Sequence, residues 1–248
     1  MPTENDEDFY LYNNQKYPRV TAVIGSFGNE FLVQWAANEC SKHILETVLP
    51  VAENRPHEVK HILPRVCQDA KYRYIEIRDS AGDKGSEIHQ LIEWRLKGVN
   101  IPEHFYEVEH LAKILDNVDK FVNDWGFEPI LYENDVGILE PSIELKLKSE
   151  KYNYAGTCDA IGTTKSDKVI LFDIKTGKSV QKKVEAQLAA YCMAWREMGG
   201  APPDLAFVVH VLPSGTLKEK FILDKPTYEK KFKAFIGGLK FVQEWGNI

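Results

Sequence analysis

The segment KVILFDIKTG, residues 168–177, places an aspartate and a lysine two residues apart at the end of an apolar run. Val169-Ile170-Leu171-Phe172 has the composition of an interior strand. Residues two apart on a strand point to the same side, so Asp173 and Lys175 project together from the face of Val169 and Leu171. Burying two charges there is costly unless they pair or bind something. The pattern also fits a strand-end ion pair entering a turn at Gly177. Asp159, in the preceding segment YNYAGTCDAIG, shifts the balance. Antiparallel pairing about the TTKSDK loop would bring it beside Asp173. Two close carboxylates repel and call for a cation, and oxygen donors favour Mg2+ or Mn2+.

Other residues join this set with two readings each. Glu144 lies on the polar side of SIELKLKS and reads either as a site carboxylate or as a solvated strand residue, and Glu133 is its rival should the strand be misplaced. His89 follows KGSEI on the flank of an apolar helical stripe; it is either a packed histidine or, as neutral imidazole, a metal ligand. Gln187 and Tyr191 are i,i+4 partners on the stripe of Val184 and Leu188, which places an amide where burial is expected. A buried glutamine needs partners, whether in a core or at a site.

The elements that must hold these residues follow from periodicity. Helical spacing predicts helices over about Asn29–Leu49, ended by Pro50; Pro56 to about Tyr74, interrupted by Pro64; Lys84–Leu96, with Gly98 beyond it; and about Glu103–Trp125, stopped by Gly126. From Pro129 the period changes to two. SIELKLKS, YNYAGTCDAIG and KVILFDIKTG form a meander of three strands. A helix over Lys182–Met198 follows, then LAFVVHVL as a strand buried on both faces, a turn at PSG into TLKEKFIL, and a helix from Pro226 to about Trp245. The expected organisation is one compact domain: an acidic tail (1–17), a helical section (18–126) including the first core helix, and a sheet with flanking helices and a C-terminal hairpin and helix (127–248).

Composition bounds the class. With 248 residues, 44% hydrophobic and 27% charged, the chain suits a folded α/β protein. No stretch approaches the roughly 18 apolar residues of a membrane span, and MPTENDEDFY is no signal peptide, so an intracellular, cytoplasmic location is expected, the host cytoplasm if the gene is a phage's. Cys40, Cys67, Cys158 and Cys192 show no CxxC pair and read as reduced, buried small hydrophobes. A net charge of -6 opposes a protein that coats nucleic acid, although lysines are dense between Lys146 and Lys183.

Taken together, KGSEIH, the Glu144 strand, YAGTCDAIG, DIKTGK and QLAAY resemble, in order and spacing, the PD-(D/E)XK nuclease superfamily in its RecB-like exonuclease branch, and the opening VTAVIGSFGNEFLVQWAAN is similar to phage-type members. The resemblance covers roughly residues 18 to 212 and implies a restriction-endonuclease-like αβββαβ core, a mixed sheet flanked by helices. It further implies a Mg2+ or Mn2+ site on His89, Asp159, Asp173 and the backbone carbonyl of Ile174, with Glu144 direct or through water. Lys175 would position or activate the attacking water, and Gln187 and Tyr191 would support the site or touch DNA. Several relatives carry an iron–sulfur cluster on four cysteines; the cysteines here do not fit, and none is expected. The implied activity is a DNA exonuclease of recombination, repair or phage DNA processing acting at free ends, with a recombination or single-strand-binding protein as partner. The alternatives are a structure-specific or restriction-like endonuclease and a non-catalytic nucleic-acid-binding protein of the same fold.

Overall fold

The computed structural model describes residues 8–28, 30–134 and 136–245. They form an α/β protein in two compact units, residues 28–86 and residues 1–27 with 87–248, rather than the single domain expected. Among its described residues the smaller unit holds helices and no strand.

The chain opens on two short strands, β1 (Phe9–Tyr12) and β2 (Gln15–Pro18), paired antiparallel. This hairpin occupies the segment expected to be an acidic tail, of which residues 1–7 lie outside the described residues. Its cause is local: Asn13 and Asn14 both adopt positive φ, 48° and 63°, the two-residue turn whose twist matches paired strands. Tyr10 and Tyr17 then pack on Ala155. Helix α1 (Val20–Gly25) follows.

The smaller unit holds α2 (Glu30–Asn54), a 3-10 turn over Pro56–Glu58, and the first part of α3 (Val59–Leu96). The expected start at Asn29 lies outside the described residues. Pro50 does not end α2, and the two helices expected over Pro56–Tyr74 and Lys84–Leu96 are one. An internal proline forfeits one hydrogen bond and crowds one carbonyl, a local cost that a long helix survives; here the Asn54 side-chain amide donates to the Pro50 carbonyl at 2.8 Å.

The larger unit takes up α3 from Glu87, then α4 (His104–Glu107) and α5 (Glu109–Trp125). Gly126, at φ 58°, closes α5 in the left-handed conformation, as the sequence predicts. Strands β3 (Glu128–Pro129), β4 (Leu131–Glu133), β5 (Leu139–Pro141), β6 (Ile143–Ser149), β7 (Tyr154–Thr163) and β8 (Val169–Thr176) follow. After α6 (Val184–Glu197) come β9 (Leu205–Val211), β10 (Leu217–Asp224) and α7 (Lys225–Trp245).

Six strands form a mixed sheet in the order β10-β9-β8-β7-β3, with β6 also on β7; β4 and β5 form a separate hairpin. The β6-β7-β8 meander is antiparallel, and β8 pairs parallel with β9 across the α6 crossover. Alternation along the strands gives the sheet two apolar faces. One carries Leu145, Leu147, Leu171 and Val208 against α1, α6 and α7. The other carries Ile143, Ile170, Phe172 and Phe207 against α5 and the Leu91–Ile92 turn of α3. A helix–sheet–helix sandwich is the consequence. Among the described residues no helix is long and apolar enough to cross a membrane.

Candidate active site

The site lies where two strands part. The β7–β8 ladder runs from Thr163↔Val169 to Ala160↔Phe172 and stops. One step further in the same register stand Asp159 and Asp173. Beyond that point β7 continues against β6 and β8 against β9, so the sheet forks. A fork leaves backbone groups without ladder partners, and a buried N–H left unpaired is costly. The Asp159 carboxylate meets this need: its Oδ2 accepts the Ile174 N–H. The carboxylate is thereby held between the strands, 7% exposed.

Asp173 and Lys175 share the face of Leu171, as alternation predicts, and that face meets α6. The Lys175 ammonium lies 2.5 Å from Asp173 Oδ2. Gln187 on α6 donates from Nε2 to Asp173 Oδ1 at 3.1 Å and to the Tyr191 hydroxyl at 3.0 Å. The buried amide thus finds its partners in the Asp173 carboxylate and the Tyr191 hydroxyl. Gly156 makes room for the arrangement, since a Cβ there would stand 2.7 Å from the Tyr191 ring.

Glu144 reaches the cluster by a backbone irregularity. Ile143 and Leu145, two residues apart, belong to opposite faces of the sheet, and so do Ala160 and Cys158 across from them. Both strands therefore swap faces between these rungs, at Glu144 and Asp159. Glu144 has φ 54°, a left-handed conformation that a non-glycine residue adopts at a cost. His89, on the last turns of α3, puts Nδ1 3.8 Å from Asp159 Oδ2. Ligand atoms of His89, Glu144 and Asp159 all lie within 4.8 Å of one another. Glu133, the rival glutamate, is exposed on β4.

The electrostatics describe an anionic cleft short of positive charge. Burial pushes the Asp159 carboxyl well above its usual range, Asp173 adds to this, and Lys175 opposes it. Burial and the charge of Glu93 likewise raise Glu144. Such carboxyls take up a proton or a cation more readily than exposed ones. His89 is lowered by burial and by Lys175, which keeps its imidazole neutral, the form that ligates metals. For Lys175, burial lowers the pKa but the Asp173 and Asp159 carboxylates outweigh it, so the ammonium form is held. Asp173 Oδ2 is fully buried and faces the Lys175 ammonium. An imidazole and two carboxylates with ligand atoms this close suit a hard divalent ion.

Every expected site residue is thus in one neighbourhood: His89, Glu144 and Asp159 as a group, with Asp173, Ile174, Lys175, Gln187 and Tyr191 around it. Two residues went unread in the sequence. Glu93 stands one helical turn after His89, paired with Lys97 at 2.7 Å, and its charge acts on Glu144; the i,i+4 spacing from His89 was the available signal. His210, fully buried on β9 opposite Lys175, binds the Gly177 carbonyl at 2.8 Å through Nε2 and so ties down the turn after β8. Its signal was a lone polar residue in the apolar run LAFVVHVL.

No protein-family model matches this chain, and no curated protein does. Among solved structures the chain is similar to SSO0001, with a TM-score of 0.31 and 16% identity over 66% of this chain and 88% of that one. On these grounds the chain is assigned to no family.

Proposed function

We propose that this protein is a Mg2+- or Mn2+-dependent deoxyribonuclease, an exonuclease acting at DNA ends, built on a restriction-endonuclease-like αβββαβ core. The observation that carries the reading is the fork between β7 and β8, which sets the His89, Glu144 and Asp159 donors beside an Asp173–Lys175 pair. Phosphodiester hydrolysis needs an in-line water, neutralisation of charge on the phosphorus oxygens and stabilisation of the departing oxygen. His89, Glu144 and Asp159 would hold the ion, with Asp173 and the Ile174 carbonyl at hand. When bound, such an ion acidifies water and draws charge from the phosphate.

The chain's own groups account for the rest. Lys175 keeps its proton and presents a positive point charge that a phosphoryl oxygen can meet. Gln187 and Tyr191 fix the rotamer of Asp173 so that Lys175 is aimed without reorganisation. Asp159, accepting the Ile174 N–H, ties the two forked strands together. DNA with a free end is the proposed substrate, and a recombination or single-strand-binding protein the proposed partner.

Incubation with end-labelled linear DNA and with covalently closed circles, in Mg2+, Mn2+ or EDTA, tests this. Linear DNA should be degraded from its ends with either ion, EDTA should abolish degradation, and closed circles should persist. Rapid opening of circles would move the reading to an endonuclease. Intact DNA of both forms at every ion concentration would remove the nuclease reading.

A further inference from the structure

The proposed chemistry leaves His210 unused, a fully buried imidazole in the otherwise apolar strand β9. Its neighbours Val209 and Val211 belong to the α5 face of the sheet and Val208 to the α6 face, so alternation turns His210 to the α6 side. That is the side of Asp173 and Lys175. The parallel register sets His210 directly beside Lys175, one strand spacing or about 4.8 Å away.

Beyond Lys175 the chain leaves β8 through Gly177, whose φ of 109° is open to glycine. A Cβ on Gly177 would meet nothing within 4 Å, so the glycine answers to the conformation of the turn rather than to crowding. β9 holds this residue by both of its backbone groups. The Gly177 N–H donates to the Val211 carbonyl at 3.2 Å, and the Gly177 carbonyl accepts from His210 Nε2 at 2.8 Å. The end of β8 is thereby pinned two residues after Lys175.

The pin carries a cost. A carbonyl can only accept, so Nε2 must bear the proton, and Nδ1 is left buried with no protein partner among the described residues. An unpaired buried polar atom destabilises, and an apolar side chain of similar volume in its place is nearly neutral or stabilising. An imidazole here is therefore worse for folding than the aliphatic residues that make up the rest of β9. Local rules of this kind are broken at functional sites.

We propose that His210 is a positioning residue, which by holding Gly177 fixes the end of β8 and so the root of the Lys175 side chain. The proposal rests on the nuclease reading for the role of Lys175, and its test separates the two. Asp173 holds the tip of Lys175, and the pinned backbone holds its root. His210→Leu removes the donor and the unpaired nitrogen together, so its melting temperature should equal or exceed that of wild type. Hydrogen exchange over residues 176–183 should nevertheless speed up. Single-turnover cleavage should fall by up to about 100-fold, the scale of a 1 Å misplacement, with Mn2+ and DNA affinity unchanged. His210→Gln returns an N–H near the Nε2 position and should restore slow exchange and most of the rate, whereas His210→Asn, with its amide nearer Nδ1, should restore neither. In a Lys175→Ala background His210→Leu should have no further effect on cleavage, since both act through one group. Wild-type exchange and cleavage in His210→Leu overturn the proposal, as does a full additional loss in the Lys175→Ala background or a His210→Gln that recovers no more than His210→Asn. A wild-type protein that cleaves nothing, yet loses protection over residues 176–183 in His210→Leu and regains it in His210→Gln, retains the pin and removes the nuclease reading.

Discussion

The left-handed conformation of Glu144 allows its backbone and its carboxylate to be tested separately. Glu144→Ala and Glu144→Gly both delete the carboxylate, whose pKa is raised by burial and by Glu93, so its effect on stability cancels between them. What differs is the backbone at φ 54°. An L residue in this region costs roughly 1–2 kcal/mol. Glycine bears no such cost, although it forfeits about 0.4–1 kcal/mol in unfolded-state entropy relative to alanine. The glycine variant should therefore be the more stable by about 1 kcal/mol, a shift of roughly 2–4 °C for a domain of this size. Elsewhere in a strand the sign is opposite, since glycine is ordinarily the worse by about 0.5–1 kcal/mol. Urea denaturation in EDTA gives the difference, and calorimetry of Mn2+ binding gives the functional side, where both variants should bind the ion more weakly than wild type. An alanine variant as stable as the glycine variant, or more so, would refute the claim that β6 is strained to bring Glu144 to the site. Wild-type Mn2+ affinity in both would remove Glu144 from the donor set.

Four further outcomes are expected. Gln187→Leu strands the Asp173 Oδ1 and Tyr191 hydroxyl that the amide now serves, so it should destabilise by about 1–3 kcal/mol; a neutral denaturation curve would show the network to be idle. Lys175→Ala leaves the His89, Glu144 and Asp159 donors in place, so single-turnover cleavage should fall far more than Mn2+ affinity, and an equal fall in both would reduce the residue to a structural ion pair. Cys158 and Cys192 are buried, which pushes both thiols up, so only Cys40 and Cys67 should react with a thiol reagent in the native protein; four equally fast thiols would contradict the fold. The hydrogen bond to Glu150, with burial, pushes Tyr17 up to about 12, so its contribution to stability is complete below the ordinary tyrosine value and lost as pH rises through about 12. The absorbance titration missing from Tyr17→Phe should sit there, and Glu150→Gln should bring it down; a component at the ordinary value would break the pair.

Local pattern alone determined much of this protein. The period-two run of SIELKLKS, the apolar approach to Asp173 and Lys175, the nearly continuous apolar run of β9 and the stripe of α6 each repeat over a few residues, and each became the expected element. The same alternation set Asp173 and Lys175 on one face, and it made Gln187 a buried amide in need of partners. The hairpin at Asn13-Asn14 was written in a turn signal that acidic neighbours obscured. What the tertiary structure alone decided is where the pattern breaks. The fork between β7 and β8 depends on each strand finding a second partner, β6 for one and β9 for the other, and no local period records that competition. The face swap at Glu144 inverts the alternation by one residue, so a strict period-two reading turned its side chain to solvent. Continuity of α3 through Pro64 likewise followed from summed helical hydrogen bonds outweighing a single breaker, and no local period records the division of the chain at residues 28–86. Periodicity is a property of neighbours in sequence, whereas the candidate site is made at the points where neighbours in space override it.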